Sequence, residues 1–308
     1  LVLDLDPDEN PDNAKKRLRN PENWMGLAFV FFAVASNVIF DWVPTLDGLY
    51  RSFFTWTNKN PELVFVGFEN FRRVFSDPQF HSALGNMIFF LVAYVVLMLP
   101  TIIASVVLFR IRGARIRYVY RVLLVLPMVV PAMVFTLIWI FILGNEFGAI
   151  NSLLAQLGFE KIPFLGDPAL IKWTILLSGI PFVTANSLLI YLGGLNAIGD
   201  ELWDAAKIDG VGPIRKFTSL EFPLILGQFK LNLVGVIGAA VTSYGVQLVF
   251  YNPSVDSGLM TPGLLMYFKA FPNTGAPDYG YSYALGLILF VGALTLSLTA
   301  IKFLKNRD

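Results

Sequence analysis

Residues 200 to 223 read DELWDAAKIDGVGPIRKFTSLEFP, a charge-bearing stretch set between apolar runs at about 173 to 198 and 231 to 254. Each flank is long enough to cross the ~30 Å hydrocarbon layer as a helix, so the stretch between them is a connection held at one membrane surface. Asp200 is placed to cap a short helix whose first turn carries Glu201 and Asp204 near the positive end of the helix dipole, and Gly210 suits the position just past its end. Pro213 opens a second helix in which Ile214, Phe217 and Leu220 recur every three residues, and Pro223 marks the entry to the next run. The expected product is a compact helix–turn–helix standing outside the bilayer.

Four further runs of the same kind lie near 24 to 43, 86 to 109, 122 to 143 and 280 to 301, making six. With 56% hydrophobic and 15% charged residues the chain has too little polar surface to coat a soluble fold of its 308 residues. The expected class is therefore an all-α integral membrane protein, a bundle of six transmembrane helices. Residues 1–23 read as an acidic, then basic tail, and residues 24–308 as one transmembrane domain. The first run follows a stretch too long and acidic for a signal-peptide n-region, so it is expected to be a retained span. Trp24, Trp42, Trp173, Tyr251 and Tyr281 stand at run ends, where amphipathic rings prefer the headgroup level.

Net charge is +1, which gives no pull toward nucleic acid, but the basic residues are unevenly placed. Sixteen lie on the side of the two chain ends and the second and fourth connections, against seven on the other, so both termini are expected to be cytoplasmic. The first outer connection, about 44 to 85, carries Phe68, Phe71, Val74 and Phe75 at helical spacing, a pattern that suits either a helix along the interface or one packed on neighbouring loops. Asp77 before Pro78 reads as the cap and first residue of the helix that becomes the second span.

Much chemistry is excluded. No cysteine is present, which removes disulfides, thiolate catalysis and zinc–thiolate sites. No G-x-x-x-x-G-K-[ST] loop, H-E-x-x-H or G-x-S-x-G occurs, so no nucleotide, metal or catalytic site is expected. His81 reads as a solvated imidazole. Asp4, Asp6 and Asp8 imitate the start of a calcium loop, but Glu9 stands at the glycine turn and Lys15 where the bidentate carboxylate belongs. Few ionisable residues lie deep in any run, which argues against a self-sufficient ion-coupled carrier, the alternative to an externally driven transporter.

Asp204-Ala205-Ala206, three residues, Gly210, nine residues, then Leu220-Glu221-Phe222-Pro223 resembles the EAA motif of binding-protein-dependent ABC importer permeases, E-A-A-x3-G-x9-I-x-L-P. The spacing matches in full, with Asp, Leu and Phe replacing Glu, Ile and Leu. The surroundings resemble the carbohydrate-uptake branch, that of the larger maltose-importer-type permeases. So do Phe65 to Phe71, Asp77 to Phe80, Ala83 to Asn86, Leu126-Pro127, Pro131, Trp139 and Gly148 to Asn151. The resemblance covers about residue 24 onward and implies the type I importer fold in a bacterial inner membrane. It also implies a second permease subunit, two ATPase subunits that carry ATP and Mg, an extracytoplasmic solute-binding protein and a carbohydrate cargo. No cofactor is expected in this chain. The loop would then be a coupling helix seated in an ATPase groove, with Trp203, Asp204, Ala205, Ala206, Gly210 and Ile214 assigned to docking. A sugar needs hydrogen-bonding groups and an aromatic plane near mid-membrane. Val183, Asn186, Ser187 and Ile190 are expected to share one face of the fourth span, and Ala240, Ser243, Tyr244 and Gln247 one face of the fifth, with Thr242 adjacent. The resemblance places its substrate contacts in the same two spans.

Overall fold

The computed structural model describes residues 21–56 and 62–304; the acidic tail, its calcium-loop mimic, Lys59 and the last basic residues lie outside these. The described chain is mostly helical. It begins with α1, formed by Pro21–Asn37 and Val43–Arg51 around a π turn at Val38–Trp42, and a hairpin follows in which β1 (Phe54–Thr55) pairs antiparallel with β2 (Val64–Phe65). Next come α2 (Glu69–Ser76), α3 (Pro78–Arg110), α4 (Ala114–Val125), α5 (Ala132–Leu143) and α6 (Ala149–Gln156). The fourth run supplies α7 (Ile171–Leu177) and α8 (Ala185–Asn196), and the polar connection supplies α9 (Asp200–Ile208) and the irregular helix α10 (Pro213–Leu224). The chain ends through α11 (Leu226–Thr242), α12 (Gly245–Phe250), α13 (Asp256–Leu259), α14 (Pro262–Ala270) and α15 (Tyr279–Phe303).

The central element is α3. Asp77 starts it as expected, its carboxylate accepting the Gln79 amide at 2.8 Å with Pro78 in the first helical position. Its 33 residues extend about 50 Å, through Pro100 without interruption. Phe80 and Phe90 of α3 pack with Ile237 and Val241 of α11, Leu264 and Leu265 of α14, and Leu285 of α15. A second cluster lies toward the other end of α3, where Ile102 and Val106 meet Tyr191, Leu195 and Ile225. Within a membrane such packing holds helices together by close contact rather than by escape from water.

Three of the six runs are not continuous spans. Among the described residues, three helices are long and apolar enough to cross a membrane, Trp24–Arg51, Pro78–Arg110 and Tyr279–Phe303. The count rises to at most five if each of two bent pairs is one span. The third run bends by 92° between Val129 and Ala132, where Pro131 cannot continue a helix from Val130. The fourth is split at Ser178 to Thr184, which holds a cis Ile180–Pro181 bond and Phe182 at φ 62°. The chain bends by 71° at Ile225, ahead of the fifth run, and that run is broken at Ser243 and Tyr244.

On the face opposite the polar loop, α2 is docked rather than lying free on the interface. Asn70 is buried and donates to the Ser52 and Phe54 carbonyls at 2.9 and 2.8 Å, and Val74 is wholly enclosed, while Phe68 and Phe75 stay exposed. Gly280 allows α15 to touch the hairpin, since a Cβ there would sit 2.5 Å from the Phe54 carbonyl oxygen. His81 is exposed, with Nδ1 3.0 Å from the Asp77 carbonyl. Tyr281 is not an interfacial ring: it is buried and donates its hydroxyl to Asp77 at 2.9 Å. Lys269 approaches the same carboxylate at 3.4 Å, and Arg73 pairs with Asp278.

Burial pushes the Asp77 carboxyl up, but the Gln79 amide, the Tyr281 hydroxyl and the Lys269 ammonium outweigh it and hold the carboxyl below its usual range. A depressed folded-state value gives stability above the unfolded value that is lost as pH falls through the folded one. The thermal midpoint of the purified protein should therefore drop on acidification below about pH 4, and Asp77→Asn should flatten that dependence while lowering the midpoint at neutral pH. An unchanged acid limb in the variant would assign the effect to other carboxylates.

Candidate coupling loop and translocation cavities

The polar connection folds as a helix–turn–helix. Gly199, not Asp200, occupies the cap position of α9, leaving Asp200 and Glu201 in its first turn. Gly210 sits at φ 60°, where its amide donates to the Lys207 carbonyl and the Val211 amide to that of Ala206, both at 3.2 Å. This pair of bonds is a Schellman closure, and the left-handed residue it requires is the glycine. Pro213 is the first residue of α10, and a π turn at Phe217–Glu221 leads into Phe222–Leu224.

Trp203 does not face outward. It is 7% exposed, its ring 5.1 Å from that of Phe109 and capped by the Lys216 ammonium at 4.6 Å. Lysine over an aromatic face supports the ring from the second helix, so Trp203 anchors the loop to α3 and is removed from the docking surface. Asp204, bonded to Lys207 at 2.7 Å, and Ala205 are exposed, and Ala206 is half-buried. Ile214 is 80% exposed and Ile208, which composition did not single out, 86%. Ile208 and Ile214, both bare, together with the small Ala205 give the loop an exposed apolar surface, a knob with an acidic edge at Asp204.

The residues expected to share two helix faces are distributed otherwise. Val183 lies in the break before α8, and with Ser187 it lines a cavity of about 520 Å³ together with Tyr94, Met98 and Thr101 of α3. Thr101 holds the break in place, its hydroxyl accepting the Thr184 amide at 3.2 Å and lying 3.4 Å from the Phe182 carbonyl it donates to. Asn186 is exposed and outside this cavity. One residue along a helix turns the side chain by roughly 100°, enough to carry it from the cavity side to the outer surface.

In the fifth run the expected face does not exist, because the helix stops at Thr242 and restarts at Gly245. Exposed Thr242 bonds back to the Gly238 carbonyl at 2.8 Å. Ser243 donates to Gln247 Oε1 at 2.8 Å, and Gln247 is fully buried with its Nε2 lacking a partner among the described residues. The Ser243 carbonyl freed by the break accepts the Thr261 hydroxyl at 2.7 Å. Gly263 allows this approach, since a Cβ would come within 2.8 Å of the same oxygen. Tyr244 points into a different cavity, of about 590 Å³, between α1, α14 and α15. There it stacks on Tyr267 at 5.5 Å and 17°, beside Phe271, Tyr279 and Tyr283. Among the described residues, none of the side chains lining either cavity is charged.

A second feature escaped the sequence pattern. Glu221 is wholly buried, its two oxygens accepting Arg110 Nε at 2.9 Å and Nη2 at 2.6 Å. An ionisable residue entering an apolar run requires such a partner, and that rule applied to Glu221 and Arg110 was the available signal.

The family described as the binding-protein-dependent transport system inner membrane component matches residues 97–305, more than half of the chain and inclusive of the whole loop and most of the residues that line the two cavities. The chain belongs to this permease family. The permease is 29% identical to the diacetylchitobiose uptake system permease protein NgcF of Streptomyces coelicolor, over 91% of this chain and 82% of that protein. It is 27% identical to the multiple sugar-binding transport system permease protein MsmF of Streptococcus mutans, over 92% and 96%. A solved bacterial ABC transporter involved in the import of the acidic polysaccharide alginate has the same fold, with TM-score 0.79 at 20% identity over 95% and 98% of the two chains. The type I importer permease class thus stands, and membership decides for a transporter subunit over a self-sufficient carrier. In the permease, the exposed knob and the buried anchor belong to one loop with two sides, one presented outward and one fastened to α3.

Proposed function

We propose that this permease is one half of the membrane pore of an ATP-driven importer whose cargo is a neutral oligosaccharide. The observation that carries the reading is the lining of the two cavities, aromatic and hydroxyl-bearing with no charge among the described residues, in a member of a binding-protein-dependent family. Sugar C–H faces stack on aromatic rings and sugar hydroxyls bond to Thr, Ser and Tyr, whereas an acidic cargo calls for Lys or Arg. The diacetylchitobiose and multiple-sugar relatives support the same cargo class.

In this reading Asp204, Ala205, Ala206, Ile208 and Ile214 seat in a partner ATPase, which with a second copy binds ATP and Mg; this chain carries no catalysis. A second permease completes the pore, and an extracytoplasmic binding protein delivers cargo at the face bearing α2 and the hairpin. The excess of basic residues supports a cytoplasmic position for the polar loop and both termini, in a bacterial inner membrane. Val183, Ser187, Ser243, Tyr244 and Gln247 belong to the cargo path.

The test is reconstitution of the complete transporter in vesicles with labelled oligosaccharides. ATP-dependent uptake of a neutral chitooligosaccharide or maltooligosaccharide, exceeding that of an acidic uronate oligomer, is expected. Uptake without the ATPase subunits, or a preference for the uronate, would overturn the proposal.

A further inference from the structure

Arg110 is the last residue of α3, and its guanidinium fastens both ends of α10. Nε and Nη2 hold the two oxygens of Glu221, and Nη2 also donates to the Pro213 carbonyl at 2.9 Å. Pro213 is the first residue of α10 and Glu221 lies eight residues on, at the end of its π turn. The Glu221 carboxylate is shut off from solvent and the Arg110 side chain is 31% exposed. A planar guanidinium in a two-toothed bond to a carboxylate fixes orientation as well as distance. Next to it, Phe109 carries the Trp203 anchor of α9. The loop is therefore gripped at three points by two consecutive residues of α3.

The covalent route out of the loop is less direct. Beyond Leu224 the chain turns by 71° at Ile225 before α11 begins. The α3 route is unbroken: the same continuous helix that ends at Arg110 lines the 520 Å³ cavity with Thr101, Met98 and Tyr94, within about 25 Å of Arg110.

We infer that the Arg110–Glu221 pair is the strut that couples the loop to the cargo cavity, so that displacement of α9 and α10 moves α3 as one body. The inference rests on the importer reading above. Arg110 and Glu221 are positioning residues; neither lines a cavity where cargo would lie. A purely structural ion pair would stabilise the fold without governing how ATP turnover is converted to transport. The two roles differ in what an apolar replacement does. Breaking a buried pair on one side is costly, whereas replacing both partners by well-packed apolar residues of similar size is often neutral for stability. It nonetheless removes the directional bonds.

The experiment compares the wild type, Glu221→Gln and the double variant Arg110→Met/Glu221→Leu in the complete transporter in vesicles. It reads ATPase subunits retained, ATP hydrolysed and cargo delivered. The double variant should retain its ATPase subunits at wild-type level yet deliver about tenfold less cargo per ATP, with Glu221→Gln intermediate. Wild-type cargo per ATP in the double variant would show the pair to be structural and overturn the inference. A second measurement needs no disruption of the pair. The 308 residues contain no cysteine, so Val107→Cys on α3 and Asp209→Cys on the loop, both exposed, accept spin labels alone. Their separation should stay constant to within about 2 Å between nucleotide-free and ATP-bound transporters. A larger shift would mean that the loop slides on α3 and would overturn the inference even if neither variant assembled. A wild-type transporter that moves cargo without ATP would instead defeat the importer reading itself.

Discussion

Ile208→Asp with Ile214→Asp is expected to abolish ATP-driven uptake and to release the ATPase subunits, while the permease still inserts and folds. Both side chains stand almost fully in solvent, at 86% and 80% exposure, so neither contributes to the internal packing of this chain. If they fill apolar pockets on a partner, losing two such burials costs roughly 3 kcal/mol or more, a hundredfold or greater weakening of association. Forcing two carboxylates into the same pockets adds their desolvation. Co-purification of the ATPase subunits with tagged permease checks the outcome, with thermal melting as the control for folding. Retained ATPase at wild-type level would place the docking surface elsewhere. Charge reversal at Asp204, which already pairs with Lys207 in solvent, should have a smaller effect in the same direction.

Tyr244→Ala is expected to raise the KM for uptake by about tenfold, with Tyr244→Phe close to wild type. Tyr244 is 42% exposed at the break between α11 and α12, its ring parallel to Tyr267 across an aromatic cavity that reaches Tyr279 and Tyr283. A ring covering one sugar face removes roughly 50 to 100 Å² from water, worth about 1 to 2.5 kcal/mol. The hydroxyl matters less if stacking dominates. Initial uptake rates at varied cargo concentration, in vesicles holding the whole transporter, separate the two variants. An alanine variant with unchanged KM would remove Tyr244 from the cargo path.

Local rules determined a good deal of this protein from sequence alone. The Asp77–Pro78 start of α3, the Pro213 start of α10 and the Gly210 closure of α9 each depend on residues within one turn of one another, so their chemistry can be read in place. The membrane class and the family follow from composition and from a motif whose spacing is itself local. Where the sequence reading went astray, the deciding partner lay far along the chain. Hydropathy counts apolar residues and cannot see that runs four and five break, because the groups freed by the breaks are met by Thr101 and Thr261 from other helices. The break in the fifth run sent Tyr244 to a different cavity, and one step of helical rotation from Ser187 put Asn186 on the outer surface. Trp203 looked like a docking side chain until Phe109 and Lys216 closed over it. The loop between the fourth and fifth runs is thus fixed in its turns by its own residues. Which of its faces is offered to a partner, and that the other is tied through Glu221 to Arg110, was decided by tertiary packing: burial and ion pairing are properties of neighbours in space, not in sequence.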